Sequence, residues 1–313
     1  MKRRHFLKVS AAAAASATMA RGSGAATAPS RNDMPYRRLG RTGEEVSLLC
    51  LGGFHMARSG VSDDLAIRIV RTAIDEGVNF LDNAWDYHRG RSEQLMGRAL
   101  RGGYRDRAFV MTKVLARDPE GVRQQLEDSL RRLDIDRIDL WQFHSLRTAE
   151  DARQVCDELL EIAVRAREEG KVRYIGFTGH RRPEALVEML KCDFPWDAVQ
   201  MAVPIFDYHH LSFQKEVLPL AVEKDLGVIA MKPLAGRAEP HKEGLIRVEQ
   251  MWRYTMSLPV ASVVTGLDSM EYLQEALQVF KETPRMEAEE KEQLLARVRE
   301  EGESGRFEYY KRW

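Results

Sequence analysis

Asp82 and Tyr87 stand five residues apart in F-L-D-N-A-W-D-Y-H-R-G, the carboxylate ending a short apolar run and the phenol in the polar stretch behind it. Lys113 closes a second apolar run, A-F-V-M-T-K-V, and His144 a third, R-I-D-L-W-Q-F-H. Singly, each has an ordinary explanation: a loop cap, a packed ring, a solvated strand edge, a boundary histidine. Together they are what carbonyl reduction needs, since that reaction delivers a hydride to carbon and a proton to oxygen. A phenol with a pKa near 10 is a weak acid at neutral pH. An adjacent ammonium favours the phenolate and lowers that pKa, and a carboxylate holds the ammonium in place. A charged lysine inside V-M-T-K-V is costly unless paired, and Asp82 on the neighbouring run is its natural partner. His144 can donate a hydrogen bond to the carbonyl oxygen or help relay the proton.

For these groups to meet, the runs carrying them must end on one face. Eight short apolar runs are legible: V-S-L-L-C-L-G-G, N-F-L-D-N-A, A-F-V-M-T-K-V, R-I-D-L-W-Q-F-H, V-R-Y-I-G-F-T-G-H, D-A-V-Q-M-A-V-P, G-V-I-A-M-K-P-L and A-S-V-V-T-G-L. Each precedes a helical pattern. The first is capped by Ser62, apolar at Leu65, Ile69, Ala73 and Ile74, and closed by Gly77. The third carries Val122, Leu126, Leu130 and Leu133 on one stripe. Strands alternating with helices predict parallel pairing through helical crossovers. Runs without polar alternation fit burial on both faces. Eight units over roughly 250 residues predict an α/β fold of the (β/α)8 TIM-barrel type. The G-x-G-x-x-G of a dinucleotide-binding open sheet is absent after the first run. A short hairpin over R-T-G precedes the barrel, and a C-terminal helical extension with an aromatic, charged tail follows it. Chemistry in such barrels gathers at the C-terminal strand ends, where Asp82, Lys113 and His144 all fall.

The 313 residues hold 48 Lys plus Arg and 48 Asp plus Glu, a balance that gives no reason to expect a nucleic-acid partner. No apolar run reaches the length that spans a bilayer. Cys50, Cys156 and Cys192 are widely spaced and form no C-x-x-C, so neither a disulfide framework nor a cysteine-only metal cluster is expected. The first 28 residues have the charged, apolar and small-residue order of a secretory signal. R-R-H-F-L-K looks like a twin-arginine export signal, with the translocase as partner and a periplasmic or extracellular destination. Cleavage is expected between Ala20 and Ala28. This segment carries five cations and no acid, so its removal takes the formal charge from 0 to −5. The remaining chain, 29–313, reads as a single domain.

The chain resembles the aldo-keto reductase family over residues 36–281, through F-L-D-N-A-x-x-Y, the M-T-K after it and the strand-four histidine. The resemblance implies that Tyr87 is the proton donor, that Lys113 and Asp82 tune it, and that His144 orients the substrate. G-F-T-G-H-R and M-K-P-L-A-G are similar to a subgroup often made with twin-arginine leaders or with an added iron–sulfur tail, whose cysteines this chain lacks.

No reducing metal or flavin motif is visible, so the hydride is expected from a nicotinamide. By the resemblance, the carboxamide falls to Thr178, Gly179 and Gln200, with His180 standing in where Gly179 has no side chain. The stacking aromatic of the family falls at Val203, leaving Phe206 or Tyr208 to supply it. Pro233, Leu234, Ala235 and Gly236 match the loop passing the pyrophosphate. Gly266, Ser269 and Glu275 follow strand eight, with Asp268 close by. Residues 261–278 contain no Lys or Arg, so a 2′-phosphate would meet acid there. NADP(H) is the first expectation and NAD(H) its rival, with Arg181, Arg182 or Arg237 able to reach in. Phe54, His55, Trp85, His88, Phe206, Tyr208, His209 and His210 are expected to line a pocket for a small, partly apolar carbonyl compound. The functional alternatives are an epimerase, isomerase or lyase using a bound nicotinamide without net turnover, and a non-enzymatic cofactor-binding redox sensor or partner subunit.

Overall fold

The computed structural model describes residues 28–282 and 286–312. The expected export signal lies outside them save for Ala28. Three short strands, β1 (Ala28–Arg31), β2 (Met34–Arg38) and β3 (Glu45–Ser47), form an antiparallel sheet with Tyr36 opposite Ser47. The turn joining β2 to β3 inserts Leu39 into the bottom of the barrel. Gly40 takes a left-handed φ of +50° there, and a Cβ on it would lie 2.2 Å from Gly227 N. The hairpin therefore plugs the N-terminal end, and only glycine fits at Gly40.

Eight parallel strands then close on themselves: β4 (Leu49–Gly52), β5 (Phe80–Asp82), β6 (Phe109–Val114), β7 (Ile138–Phe143), β8 (Val172–Gly179), β9 (Ala198–Ala202), β10 (Gly227–Met231) and β11 (Ser262–Gly266). They run in chain order around the barrel, with β11 paired to β4. The first apolar run divides at Leu48 between the hairpin sheet and the barrel, because its two halves pair with different partners.

The strand residues sort by parity. Cys50, Phe80, Phe109, Met111, Leu140, Ala198, Ile229 and Val264 fill the barrel interior. Leu49, Leu51, Leu81, Val110, Trp141, Phe143, Ile175 and Val228 face the helices outside. Both faces are apolar because both are buried, which is why the strands show no polar alternation. Above the apolar interior, the inward positions turn polar at the C-terminal rim, with Asp82, Lys113, Gln142 and Gln200 buried there.

The outer helices begin where local chemistry dictates. Ser62 accepts from Leu65 N and Asp118 from Gly121 N, so each satisfies an otherwise orphaned N–H at the start of Asp63–Asp75 or Pro119–Leu133. The helix after β7 runs through Ala149–Gln154, a π-helical turn Val155–Leu159, and Leu160–Glu168. Cys156 in that turn forms a disulfide with Cys192, their Cα atoms 6.0 Å apart. This corrects the expectation from cysteine spacing, since 36 residues of sequence separation hid a contact between adjacent outer elements.

After Ala288–Arg297 and Arg299–Ser304 the tail returns to the barrel mouth. It is latched by Lys311, whose fully buried ammonium donates to Asp207 Oδ1 at 2.6 Å and His210 O at 2.6 Å and lies 2.9 Å from Glu308 Oε1.

Candidate active site

Asp82 ends β5 and Lys113 stands near the end of β6, both pointing inward. Their side chains form a buried ion pair, and Lys113 Nζ also donates to Asn83 O at 2.5 Å. Burial alone would drive the proton off Lys113; Asp82, then Tyr87, more than offset it and hold the ammonium protonated above its ordinary range.

Tyr87 arrives from a loop with an unusual backbone. His88 (φ 49°) and Arg89 (φ 58°) are left-handed, followed by Gly90 at 89°. Such residues are strained unless their surroundings hold them. Arg132 does so: it donates to Trp85 O at 2.9 Å and to Glu93 Oε2 at 3.2 Å, and its guanidinium lies over the Trp85 ring at 5.1 Å. A Cβ on Gly90 would sit 2.6 Å from that guanidinium. The Tyr87 ring is thus set with the Lys113 ammonium 5.0 Å from its centroid and Phe54 edge-on at 5.2 Å.

Burial pushes the Tyr87 hydroxyl well above its ordinary pKa; Lys113 pulls the other way, by charge and by a hydrogen bond, without overcoming it. The sequence reading assigned Lys113 a net acidifying effect. Its direction is right, but desolvation is larger, so the phenol is firmly protonated. His144 packs edge-on to Tyr87 at 5.8 Å, with its Nδ1 3.1 Å from Asp86 Oδ1. Burial first, with Lys113 adding to it, lowers His144 below the usual imidazole range despite Asp86, so the ring is neutral at neutral pH. One protonated phenol, one ammonium and one neutral imidazole share the rim.

Asp86 was not singled out in the sequence. It lies one residue before Tyr87, but its pairing with His144 depends on a loop conformation that no periodicity reveals. Gln142 was also missed. Its Nε2 donates to Gln200 Oε1 at 3.1 Å, Gln200 Nε2 reaches Asp82 Oδ1 at 3.5 Å, and Gln142 Oε1 is buried without a partner. That acceptor lies beside the space left by Gly176. A primary carboxamide would satisfy it, so the polar layer fits a nicotinamide.

The other expected residues divide. Thr178 is buried at the rim, its hydroxyl accepting from Ser145 N at 2.8 Å. His180 lies edge-on to Tyr310 at 5.9 Å. Lys232 (φ 57°), Ala235 (φ 53°) and Gly236 (φ 87°) curl the loop that also holds Pro233 and Leu234. Val203 is fully buried. Gly179 instead turns outward, where a Cβ would meet Leu186 at 2.8 Å. The space over Gly266 is filled by the His55 ring. Ser269 caps the next helix, accepting from Tyr272 N at 3.1 Å, and Glu275 is exposed on that helix.

Trp85, expected in the pocket, points at the helix Pro119–Leu133 and donates to Asp128 Oδ2 at 3.2 Å. Phe206 is sealed under Phe307, their ring centroids 5.1 Å apart, and Tyr208 lies exposed beneath the Lys215 ammonium. His209 and His210 are pinned against Gly302 and Gly305 of the extension. Phe54 and His88 remain beside Tyr87, with His88 Nε2 2.8 Å from Phe54 O.

The profile of the Aldo/keto reductase family matches residues 48–251, the span that carries β4 to β10 and all four rim groups. The chain belongs to the aldo/keto reductase family. It is 35% identical over 233 residues to the "Uncharacterized oxidoreductase YrpG" of Bacillus subtilis (strain 168), covering 65% of this chain and 67% of that one. It is 28% identical over 291 residues to YqkF of the same organism, named likewise an oxidoreductase, covering 78% and 90%. Among solved structures it is similar to the aldo-keto reductase AKR11C1 from Bacillus halodurans in its holo form. The TM-score there is 0.73 at 26% identity, over 84% of this chain and 96% of that one. As an aldo/keto reductase, the protein is an oxidoreductase of the nicotinamide-dependent kind.

Proposed function

We propose that the protein reduces an aldehyde or ketone to an alcohol, or runs the reverse, with Tyr87 as general acid. The observation that carries this reading is the Tyr87 ring set 5.0 Å from an ammonium fixed by Asp82, with the His144 imidazole edge-on to it. A bound nicotinamide supplies the hydride. The chain's own residues handle the proton: Tyr87 gives it to the carbonyl oxygen, and Lys113 stabilises the phenolate left behind. His144 hydrogen-bonds the same oxygen and fixes its position. Gln142, Gln200 and Thr178 are the polar side chains suited to hold the carboxamide.

NADP(H) stands first, with NAD(H) as its rival. Arg58 reaches the loop after β11 and pairs with Asp268 at 3.3 Å, and a cleft lined by both and by His88 adjoins the mouth. A cation in that otherwise acidic loop supports the phosphorylated dinucleotide.

Export through the twin-arginine route to the periplasm or beyond is part of the proposal. Beyond the leader pattern, the Cys156–Cys192 disulfide supports it, because disulfides persist in oxidising compartments. The tail favours a second reading, an epimerase, isomerase or lyase that retains its nucleotide. Tyr309 and Tyr310 lie over Gly236, Lys232 and His180, covering the loops expected to hold the dinucleotide. Nucleotide released from the purified exported protein, identified by mass spectrometry, names the cofactor. Oxidation of added NADPH or NADH with simple aldehydes supports the reductase. Steady-state turnover that needs no added nucleotide supports the second reading.

A further inference from the structure

β7 delivers His144 with both of its backbone groups engaged. His144 N donates to Val114 O at 2.8 Å, and His144 O accepts from Nη2 of Arg117. Arg117 Nη1 also donates to Leu115 O at 2.9 Å and Ala116 O at 3.1 Å, so one guanidinium ties the loop after β6 to the end of β7. On the other side Ser145, left-handed at φ 56°, donates its N–H to Thr178 Oγ1 at 2.8 Å. What the backbone leaves free is the rotation of the imidazole itself.

Asp86 takes up that freedom. Its Oδ1 lies 3.1 Å from Nδ1 of His144. Both atoms are shielded from solvent, and neither has a hydrogen-bond partner elsewhere. A carboxylate oxygen only accepts, so the contact is favourable when Nδ1 carries the hydrogen. Which imidazole nitrogen is protonated is set by what the other one meets. The ring is neutral at neutral pH and has a single N–H to give. Nε2 is then left with a lone pair. His144 keeps 12% of its side chain exposed, and Nδ1 has no share in it, so the open part of the ring lies away from Asp86. Tyr87, the next residue after Asp86, packs edge-on to the same ring at 5.8 Å. One loop therefore carries both the phenol and the carboxylate that aligns the imidazole beside it.

We infer that Asp86 is a positioning residue of the reaction: it holds His144 in the tautomer with hydrogen on Nδ1 and presents the Nε2 lone pair to the reacting oxygen, where it accepts from the hydroxyl of the alcohol. The inference rests on the reductase reading above. The hydrogen bond between His144 and that oxygen runs from alcohol to imidazole. A neutral ring in this tautomer has no N–H left for a carbonyl, so the proton that reaches the carbonyl oxygen comes from Tyr87. Asp86 acts through the ring, by choosing which of its nitrogens faces the substrate.

The test reads the tautomer directly and then its effect on an alcohol. Proton–nitrogen correlation spectra of nucleotide-loaded protein with isotope-labelled histidine are recorded at neutral pH for wild type, Asp86→Ala and Asp86→Glu. The chain has eight histidines, and the His144 signals are assigned by their loss in His144→Gln. The expected result is hydrogen on Nδ1 in wild type, a shift of hydrogen to Nε2 in Asp86→Ala, and return of the wild-type tautomer in Asp86→Glu. In parallel, trifluoroethanol, a strong hydroxyl donor, is measured as a competitive inhibitor of benzaldehyde reduction. Its Ki should weaken about tenfold in Asp86→Ala, the loss of one hydrogen bond, and recover in Asp86→Glu, with nucleotide Kd unchanged. Hydrogen on Nε2 in the wild type overturns the inference, as does a tautomer that Asp86→Ala leaves unchanged. So does a Ki that holds while the tautomer shifts, which takes Nε2 away from the reacting oxygen. A wild type that turns over neither benzaldehyde nor benzyl alcohol counts against the reductase reading instead, and the tautomer alone then decides whether Asp86 orients the ring.

Discussion

Arg132 donates to the Trp85 carbonyl at 2.9 Å while its guanidinium stands over the same indole, 5.1 Å from the ring centroid. One side chain on the helix Pro119–Leu133 therefore fixes both the backbone and the ring of a residue two positions before the phenol. Its third contact, with buried Glu93, ties the clamp to Thr112, next to Lys113. Arg132→Ala is expected to lower kcat about 10–100-fold by loosening the Tyr87 loop. It should also cost about 3 kcal/mol of stability, because Glu93 is left buried and unpaired. Steady-state kinetics with urea unfolding checks both. Arg132→Lys should restore little, since an ammonium cannot stack and fork at once.

The Asp82–Lys113 pair makes a sharper thermodynamic prediction. Both side chains are almost wholly buried. Asp82→Asn leaves an uncompensated ammonium and is expected to cost about 3–5 kcal/mol. Asp82→Asn with Lys113→Met together should cost less than Asp82→Asn alone, because the orphaned charge is gone. Chemical unfolding of the single and double variants measures the difference; a double variant worse than Asp82→Asn contradicts the pairing.

The buried histidines should draw stability from the protein as it is acidified. His55 is lowered by burial, and then by Arg58, to about 4, and burial likewise lowers His144 and His180. The unfolded chain, with imidazoles near 6.5, binds more protons than the folded one between those values. The stability these neutral imidazoles hold is therefore whole above about pH 6.5 and drains as pH falls towards 4, opposed in part by Glu308, which burial raises to about 7. His55 alone contributes on the order of 1–3 kcal/mol to that loss. Tm measured from pH 7.5 to 4.5 should fall, and His55→Gln should flatten the slope.

The disulfide predicts a thiol count. Protein from the exported fraction, unfolded without reductant, should titrate one thiol, Cys50; protein held in a reducing cytoplasm should titrate three. Cys156→Ser should lower stability by about 2–4 kcal/mol under oxidising conditions, read from unfolding with and without reductant.

The barrel was legible because eight doubly buried strands leave eight apolar runs, and the rim because strand ends fix where Asp82, Lys113 and His144 fall. What was not legible depends on loops. Trp85 looked like a pocket wall until Arg132 and Asp128, over 40 residues away, claimed its indole. Phe206 looked available until the tail laid Phe307 on it. The family resemblance puts Gly179 at the carboxamide, yet strand parity turns it outward, while Gln142, two residues before His144, faces the interior. The cysteine pair escaped because sequence separation says nothing about neighbouring helices on a closed ring. The pKa of Tyr87 went the other way because the ammonium was legible and the burial was not.

The central claim is that Tyr87 gives the proton to the carbonyl oxygen. Tyr87→Phe removes that proton and keeps the ring against Phe54 and His144. Single-turnover hydride transfer with saturating nucleotide and an aldehyde the wild type reduces is predicted to slow by about 10³-fold, with nucleotide Kd within twofold of wild type. A rate within tenfold of wild type at undiminished nucleotide binding would contradict the account.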